Sequence, residues 1–243
     1  MLKPRFRVFA GANGSGKTFL FNHLKQSGYI HTEIYVSADR IEAGIIKKPV
    51  FNFNSYRVKV SEEEFHSHIL HSGLFINKIK DSSFLENFSL SRGKLSINIP
   101  KSLINSYHAS FIASYLVEKL LASGQSLCFE TVMSHISKVQ IIHLAKEFGY
   151  KTYLYFVFTD NVDLNVTRVK LRVKSGQHNV DEDLIRSRYP RTFDLLPQAL
   201  QEVDEAYVID NSTFEIQVVA EKKNNRLEIQ EEASAVIKPF LKL

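Results

Sequence analysis

Eight consecutive residues near the N-terminus have the types and the spacing of a phosphate-binding loop. The segment Gly11-Ala12-Asn13-Gly14-Ser15-Gly16-Lys17-Thr18 matches the pattern G-x-x-x-x-G-K-[ST] at every defined position. Glycines let the backbone curl so that its N–H groups face a β-phosphate. The lysine reaches the β and γ oxygens, and the threonine hydroxyl ligates Mg²⁺. We therefore predict an ATP and Mg²⁺ site, and we expect Lys17 to face solvent until nucleotide arrives.

The loop is flanked by elements that can position it. An apolar run precedes it, and Phe19, Leu20 and Leu24 after it recur on one helical face. Four more apolar runs, rich in β-branched and aromatic residues, follow along the chain, with helical patterns between most of them. This alternation is typical of a parallel sheet covered on both faces. The predicted strands are Arg5–Ala10, Glu33–Ser37, Ser126–Glu130, Thr152–Thr159 and Ala206–Ile209.

These elements predict an α/β protein with the three-layer P-loop NTPase fold and a central, mainly parallel sheet of about five strands. We expect a single domain over residues 1–243. Residues 48–106 do not follow this alternation of strands and helices and are interpreted as an insertion or substrate cover, with Ser61 capping a helix. Residues 213–243 form a C-terminal extension with the alternating pattern of a β-hairpin around Lys222–Arg226.

The phosphate-binding loop alone does not specify which reaction is catalysed. The prediction of function therefore depends on residues at the other strand ends, where ligands of open α/β sheets bind. Asp39 follows the second predicted strand, Glu130 and Thr131 end the third, and Asp160 follows the fourth. Two of these carboxylates can supply a base and an acceptor-holding group. Each has a structural alternative: Asp39 as a helix N-cap, Glu130 as a helix-start charge, and Asp160 as a cap or turn residue or a Walker-B carboxylate.

A stretch rich in basic residues follows Asp160 in the sequence. Cations there suit the charge that spreads over a transferred phosphoryl group, although a solvated helix face has the same composition. The residues between its two arginine groups, Lys174–Asn179, are interpreted as a mobile lid that orders when ATP binds. The basic residues are Arg168, Arg172, Lys174, His178, Arg186, Arg188 and Arg191.

Composition and charge limit the classes of partner and the cellular compartment that we expect. The net charge of +5 is compatible with nucleic acid and equally with anionic small-molecule substrates, and the basic residues are spread along the chain rather than clustered. We do not predict a nucleic-acid partner. The single cysteine, Cys128, is predicted to be a buried, inert thiol. We find no apolar run of membrane-spanning length and no signal-peptide pattern. These observations predict a cytoplasmic protein without a membrane partner.

Taken together, the motifs resemble the zeta-toxin-like family of P-loop kinases. The resemblance is carried by GANGSGKT, VSADRI, FETVMSHISK and the long segment RVKLRVKSGQHNVDEDLIRSRYPRTFDLL that leads to DNS at Asp210–Ser212. It implies transfer of a phosphate from ATP to a sugar hydroxyl, with UDP-N-acetylglucosamine as the acceptor in well-known members and an antitoxin as protein partner. It implies that Lys17 binds phosphate, that Asp39 is the base, that Glu130 holds the acceptor and that Arg172 is a lid arginine.

Several positions depart from that pattern. Arg40-Ile41-Glu42 follows Asp39 where an aromatic residue and a base are usual, and Ser134 stands near the place of a frequent arginine. The second lid cation has no clear match among His178, Arg186, Arg188 and Arg191; we assign Arg188, with Thr131, to acceptor binding. The sequence therefore does not identify the molecule that accepts the phosphate. The alternatives to a small-molecule kinase are a nucleotide-switched P-loop ATPase that acts on a partner and, less favoured, a polynucleotide kinase.

Overall fold

The computed structural model describes residues 3–176, 179–213 and 215–243. The chain divides into two compact units, one made of residues 1–35 and 126–243 and the other of residues 36–125. In chain order the strands are β1 (Arg5–Ala10), β2 (Tyr35–Ser37), β3 (Val50–Asn52), β4 (Phe88–Ser91), β5 (Lys94–Ile97), β6 (Leu127–Thr131), β7 (Lys151–Phe158), β8 (Glu205–Asp210), β9 (Gln217–Lys223) and β10 (Arg226–Ile229).

The helices alternate with these strands. They are α1 (Lys17–Gln26), α2 (Ala38–Lys47), α3 (Glu62–Leu70), α4 (Ser106–Ala122), α5 (Ser137–Glu147), α6 (Val162–Lys174), α7 (Glu182–Asp194) and α8 (Leu196–Glu202). Across the described ranges, none of them combines the length and the apolar character that crossing a bilayer takes.

The main sheet has seven strands in the order β10-β9-β8-β7-β1-β6-β2. β1 pairs in parallel with β6 and β7, and β7 pairs in parallel with β8. The predicted parallel α/β sheet is confirmed, and all five predicted strands are present. The count of about five was too low, because the C-terminal hairpin adds β9 and β10 in antiparallel register at the β8 edge.

The core of the first unit follows the sequence pattern closely. Continuous burial along β1, β6 and β7 matches strands covered on both faces. Leu20 and Phe21 of α1 pack with Phe9 and Cys128. Phe19, which we expected on that face, is instead exposed. Burial raises the pKa of the Cys128 thiol to about 12, as an inert core cysteine requires.

The second unit has its own small sheet and aromatic core. β5 lies between β3 and β4, paired antiparallel with both. Phe53, Phe65 and Tyr115 meet edge to face with ring centroids 5.2–6.4 Å apart. The Ser61 side chain accepts from the Glu64 N–H, so Ser61 is the predicted cap of α3. The stretch 48–106 lies within this unit, which extends beyond it at both ends.

A buried histidine is expected to make the stability of this unit depend on pH. His108 is 2% exposed, and its Nδ1 accepts from the Asn105 N–H at 3.2 Å. Burial lowers the pKa of His108 from its ordinary value of 6.5. The unfolded chain therefore takes up this proton first, so the contribution to stability is complete above about pH 6.5 and is lost as the pH falls below it.

We expect the free energy of unfolding to fall between about pH 7.5 and pH 5.5 by a larger amount in the native chain than in a His108→Gln variant. Glutamine keeps an acceptor at this position and has no titrating group. Urea titrations at the two pH values measure the difference. Equal falls in both proteins would contradict a special role for His108.

Candidate functional site

The phosphate loop connects β1 to α1 and has the backbone that its glycines permit. Gly11, Gly14 and Gly16 all have positive φ, and Gly16 is the N-cap of α1 in the left-handed region. The Ala12 carbonyl accepts from the Ser15 N–H at 3.2 Å. The loop therefore leads directly into the N-terminus of a helix, where backbone N–H groups and the helix dipole favour an anion.

Lys17 does not face solvent, which corrects our expectation. It is 6% exposed, and its ammonium donates to the Ala12 carbonyl at 2.8 Å. The loop curls tightly enough for the side chain to fold back over it. The cation thus lies against the concave backbone where a phosphate is expected to bind.

Thr18, in the first turn of α1, contacts Glu130 near the carboxyl end of β6. The Thr18 hydroxyl donates to Glu130 Oε2 at 2.7 Å, and the Tyr35 hydroxyl donates to the same oxygen. Tyr35 in turn stacks on Phe21 of α1, with centroids 4.0 Å apart. Glu130 is 9% exposed and lies inside β6, so its interpretation as a helix-start charge was wrong.

Thr131 ends β6 beside Glu130. Its hydroxyl accepts from the Met133 N–H at 3.3 Å, which shapes the turn that leaves the strand. Met133 is buried and has φ of 56°, an uncommon conformation for a residue with a side chain. The backbone is therefore sharply turned immediately after the two polar residues at this strand end.

Asp39 lies in the second unit, in the first turn of α2. The N-cap position of that helix belongs to Ser37, so Asp39 is not the N-cap residue. Its carboxylate is half-buried and is favoured by the positive end of the helix. Asp160 is not a cap either, since Asn161 caps α6, and its side chain is exposed.

The basic stretch separates into residues with different surroundings. Arg186 pairs with Glu182 and Asp163, and Arg191 bonds within its own helix, so both fit a solvated helix face. Arg168 and Arg172 are half-buried on one face of α6, and Arg188 is half-buried on α7. His178 and Gln177 lie outside the described residues, and so does the centre of the predicted lid Lys174–Asn179.

Arg168 has a donor atom that is buried and, among the described residues, unsatisfied. Its Nη1 atom is buried and has no hydrogen-bond partner in the described part of the chain. Burial lowers the pKa of its guanidinium. A buried guanidinium nitrogen with an open donor is suited to an anionic ligand.

Two asparagines outside the motif also contact the loop, and the sequence analysis did not single them out as site residues. Asn165 Nδ2 donates to the Asn13 carbonyl at 2.8 Å, and Asn211 Nδ2 donates to the Ser15 carbonyl at 2.7 Å. A signal for Asn165 was present, since it stands four residues before Val169, on the apolar face of α6. A polar residue on such a face needs a buried partner.

Several known structures are similar to this chain in fold. Superposition on the crystal structure of AvrRxo1-ORF1:AvrRxo1-ORF2 with sulphate ions covers 99% of this chain, with a TM-score of 0.62 and 13% identity. The crystal structure of AvrRxo1-ORF1:-ORF2 with ATP gives a TM-score of 0.59 at 14% identity over 93% of this chain. This chain spans 64% and 60% of the length of those two chains.

A further neighbour is a structure of the PezAT chromosomal toxin-antitoxin system of Streptococcus pneumoniae. It has a TM-score of 0.55 and 16% identity, and the match covers all of this chain and 79% of the neighbour.

The similarity found by sequence comparison covers a smaller part of the chain. An uncharacterized protein of Haemophilus influenzae is 38% identical over 60 residues, which are 25% of this chain and 43% of the relative. No protein-family model matches the sequence. The structural neighbours therefore confirm the P-loop α/β fold and, at the level of the fold, the resemblance to the zeta-toxin-like kinases that the motifs indicate.

Proposed function

We propose that this protein is an ATP-dependent kinase that phosphorylates a hydroxyl of a small molecule, a sugar nucleotide or a related metabolite. The observation that carries the proposal is the phosphate loop with its threonine hydrogen-bonded to a carboxylate on the adjacent strand, Thr18 to Glu130 at 2.7 Å. That pair, with Lys17 folded over the loop, provides the groups needed to hold a triphosphate and its metal. The ATP in one neighbouring structure supports the choice of nucleotide.

The loop would bind the β- and γ-phosphates. Backbone N–H groups of Gly14 to Thr18 and the positive end of α1 attract phosphate oxygens. Lys17 would exchange its bond to the Ala12 carbonyl for phosphate oxygens, which are stronger acceptors because they are charged. The Ser15 hydroxyl is completely buried and has no partner within the described residues, so a donor is available there as well.

Thr18 and Glu130 fit Mg²⁺, which prefers oxygen ligands and keeps some of its water. Bound there, the metal would neutralise charge on the phosphates. The Thr18 hydroxyl would ligate it with an oxygen lone pair while its O–H still donates to Glu130. The Tyr35 hydroxyl holds the same carboxylate oxygen. We therefore propose that Glu130 supports the metal, a role different from the acceptor binding that the family resemblance implies.

This role predicts a specific defect. Glu130→Gln is expected to raise the Mg²⁺ concentration for half-maximal turnover by about 10- to 100-fold, as loss of a group that orients a metal ligand does. Titration of turnover with Mg²⁺ at saturating ATP measures it. Glu33→Gln is the matched control, because Glu33 lies in the same unit and forms an exposed pair with Lys25. An unchanged Mg²⁺ requirement in Glu130→Gln would contradict the metal-supporting role and favour a role of Glu130 in binding the acceptor.

Cations on α6 and α7 would stabilise the transferring phosphoryl group. Arg168 and Arg172 share a face of α6, and Asn165, one turn before Arg168, contacts the phosphate loop directly. That contact brings the first turn of α6 to the phosphate loop. We propose Arg172 and Arg168 as transition-state cations and Arg188, with Thr131, as a contributor to acceptor binding.

Asp39 is proposed as the base that takes the proton of the acceptor hydroxyl. Its half-buried carboxylate lies in the first turn of α2, just after the end of β2, and the N-cap of that helix is Ser37. The acceptor proposed from the family resemblance is UDP-N-acetylglucosamine or a related sugar nucleotide. The departures at Arg40-Ile41-Glu42 and Ser134 favour a relative of that compound over the compound itself.

A protein partner is also proposed. The PezAT structure belongs to a toxin–antitoxin system, and by analogy an antitoxin would cover the ATP site of this chain. A cytoplasmic location fits the single, buried cysteine.

The function is tested by incubating the protein with ATP, Mg²⁺ and a metabolite extract and following products by mass spectrometry. We expect one class of compound to gain a single phosphate, and the gain to disappear with the Lys17→Ala variant. A metabolite profile that does not change in the presence of active, ATP-binding protein would contradict a small-molecule acceptor.

A further inference from the structure

The two asparagine contacts have a direct effect on where the loop amides point. In a planar trans peptide, the carbonyl of one residue and the N–H of the next point in opposite directions. Asn165 holds the Asn13 carbonyl, so the Gly14 N–H is turned to the other side. Asn211 holds the Ser15 carbonyl, so the Gly16 N–H is turned away from Asn211 in the same manner. Each bond thus fixes one peptide plane of the phosphate loop.

The orientation of the Asn165 amide is itself determined by its surroundings. The residue is completely buried, and the Thr159 hydroxyl donates to its Oδ1 atom. The Nδ2 atom therefore remains for the Asn13 carbonyl. A flipped amide would place two acceptors, Oδ1 and that carbonyl, against each other, at the cost of an unsatisfied buried group.

Two glycines of the motif leave the space that these contacts need. A Cβ atom on Gly14 would overlap the Asn165 backbone, and one on Gly16 would overlap the Asn211 side chain. The first turn of α6 and the end of β8 thus approach the loop where it has no side chain. The motif glycines serve this close approach as well as their positive φ angles.

We propose that Asn165 and Asn211 are positioning residues that hold the phosphate loop in its anion-binding form before nucleotide arrives. The proposal rests on the proposed function, in which this loop binds the phosphates of ATP. Asn165 has a second effect: Arg168 lies one turn further along α6, so the bond to Asn13 also fixes where that arginine stands relative to the loop.

The first test uses the protein without ligand. Hydrogen exchange of residues 12–17 is compared in the native chain, Asn165→Ala and Asn211→Ala, under conditions where all are folded. We expect faster exchange in this segment in both variants and unchanged exchange in β1. Asn161→Ala is the matched control, because Asn161 caps the same α6 helix and its side chain bonds to Asp163 and not to the loop. It is expected to destabilise α6 and to leave the loop protected.

The second test is affinity. Calorimetric titration with ATP and with ADP is expected to show about tenfold weaker binding for each variant, since each loses one hydrogen bond that pre-organises the site. The loss should be equal for the two nucleotides, because both carry the β-phosphate that the loop binds. Asn161→Ala should bind both with native affinity. If Asn165→Ala fails to fold, Asn211→Ala, a change at a half-buried residue, decides the question.

Native exchange of the loop in Asn211→Ala, or faster exchange with native affinity for ATP and ADP, would overturn the positioning role. Failure of the native chain to bind ATP would instead refute the proposed function. The exchange experiment would still decide whether the two asparagines hold the loop, because it needs no nucleotide.

Discussion

Replacement of Lys17 by alanine is expected to weaken ATP binding by about 100-fold or more while the protein stays folded. Charge-assisted hydrogen bonds to phosphate oxygens contribute about 1.5–3 kcal/mol each, and Lys17 would make them to both the β- and γ-phosphates. The side chain is buried against the loop and not in the apolar core, where Phe9, Leu20 and Phe21 pack together. Folding should therefore tolerate the change.

Calorimetric titration with ATP and Mg²⁺ measures the affinity, and thermal unfolding checks the fold. Lys25→Ala is the matched control, since Lys25 lies on the same helix and pairs with the exposed Glu33. Native affinity in the Lys17 variant would mean that the loop does not bind nucleotide phosphates.

The second large effect is expected at Asp39. Asp39→Asn should keep the ATP affinity within a few fold and lower phosphoryl transfer by about 100-fold or more, the usual contribution of a general base. A loose transition state makes the need for a base modest, so the loss need not be greater. Because Asp39 is not the N-cap of α2, asparagine leaves that cap in place, and the lost interaction of the charge with the helix is worth about 0.3–1 kcal/mol.

Turnover per folded molecule distinguishes the two roles. Asp81→Asn provides the matched control: Asp81 lies in the same unit, is exposed, and accepts from the Ser83 N–H at the start of a short helical turn. It should lose some stability and no turnover. If Asp39→Asn behaves in the same way, Asp39 is structural and the base lies elsewhere.

Patterns within short segments predicted the fold well. The apolar runs located β1, β2, β6, β7 and β8 to within about two residues at each end, and the motif located the loop. Gly149 after α5 and Ser61 before α3 mark helix ends that the local sequence specifies. The addition of β9 to the edge of β8 could not be predicted this way, since the pairing partner of a strand is set by tertiary contacts.

The site was harder to predict because its contacts join distant segments. The bond between Thr18 and Glu130 spans 112 residues of chain, and the bond between Asn211 and Ser15 spans 196. No local pattern specifies such pairs. Strand order does constrain one of them: once β6 is known to lie beside β1, Glu130 and Thr18 must approach each other at the carboxyl ends of the strands.

Lys17 shows a different limit. The motif identifies the residue and its charge, but not its position before nucleotide binds. In the absence of phosphate, the ammonium donates to the Ala12 carbonyl and is buried. Sequence patterns predict which groups a site contains more readily than they predict the partners those groups take when the ligand is absent.

The most direct measurement follows the fate of the γ-phosphate. ATP labelled at that phosphate is incubated with the protein and Mg²⁺, with and without a metabolite extract, and the label is divided between inorganic phosphate and organic phosphate esters. A kinase predicts that the label enters an ester when extract is present and that Asp39→Asn abolishes most of this transfer. Release of the label only as inorganic phosphate, at the same rate with and without extract, would contradict a kinase and identify a nucleotide-hydrolysing switch.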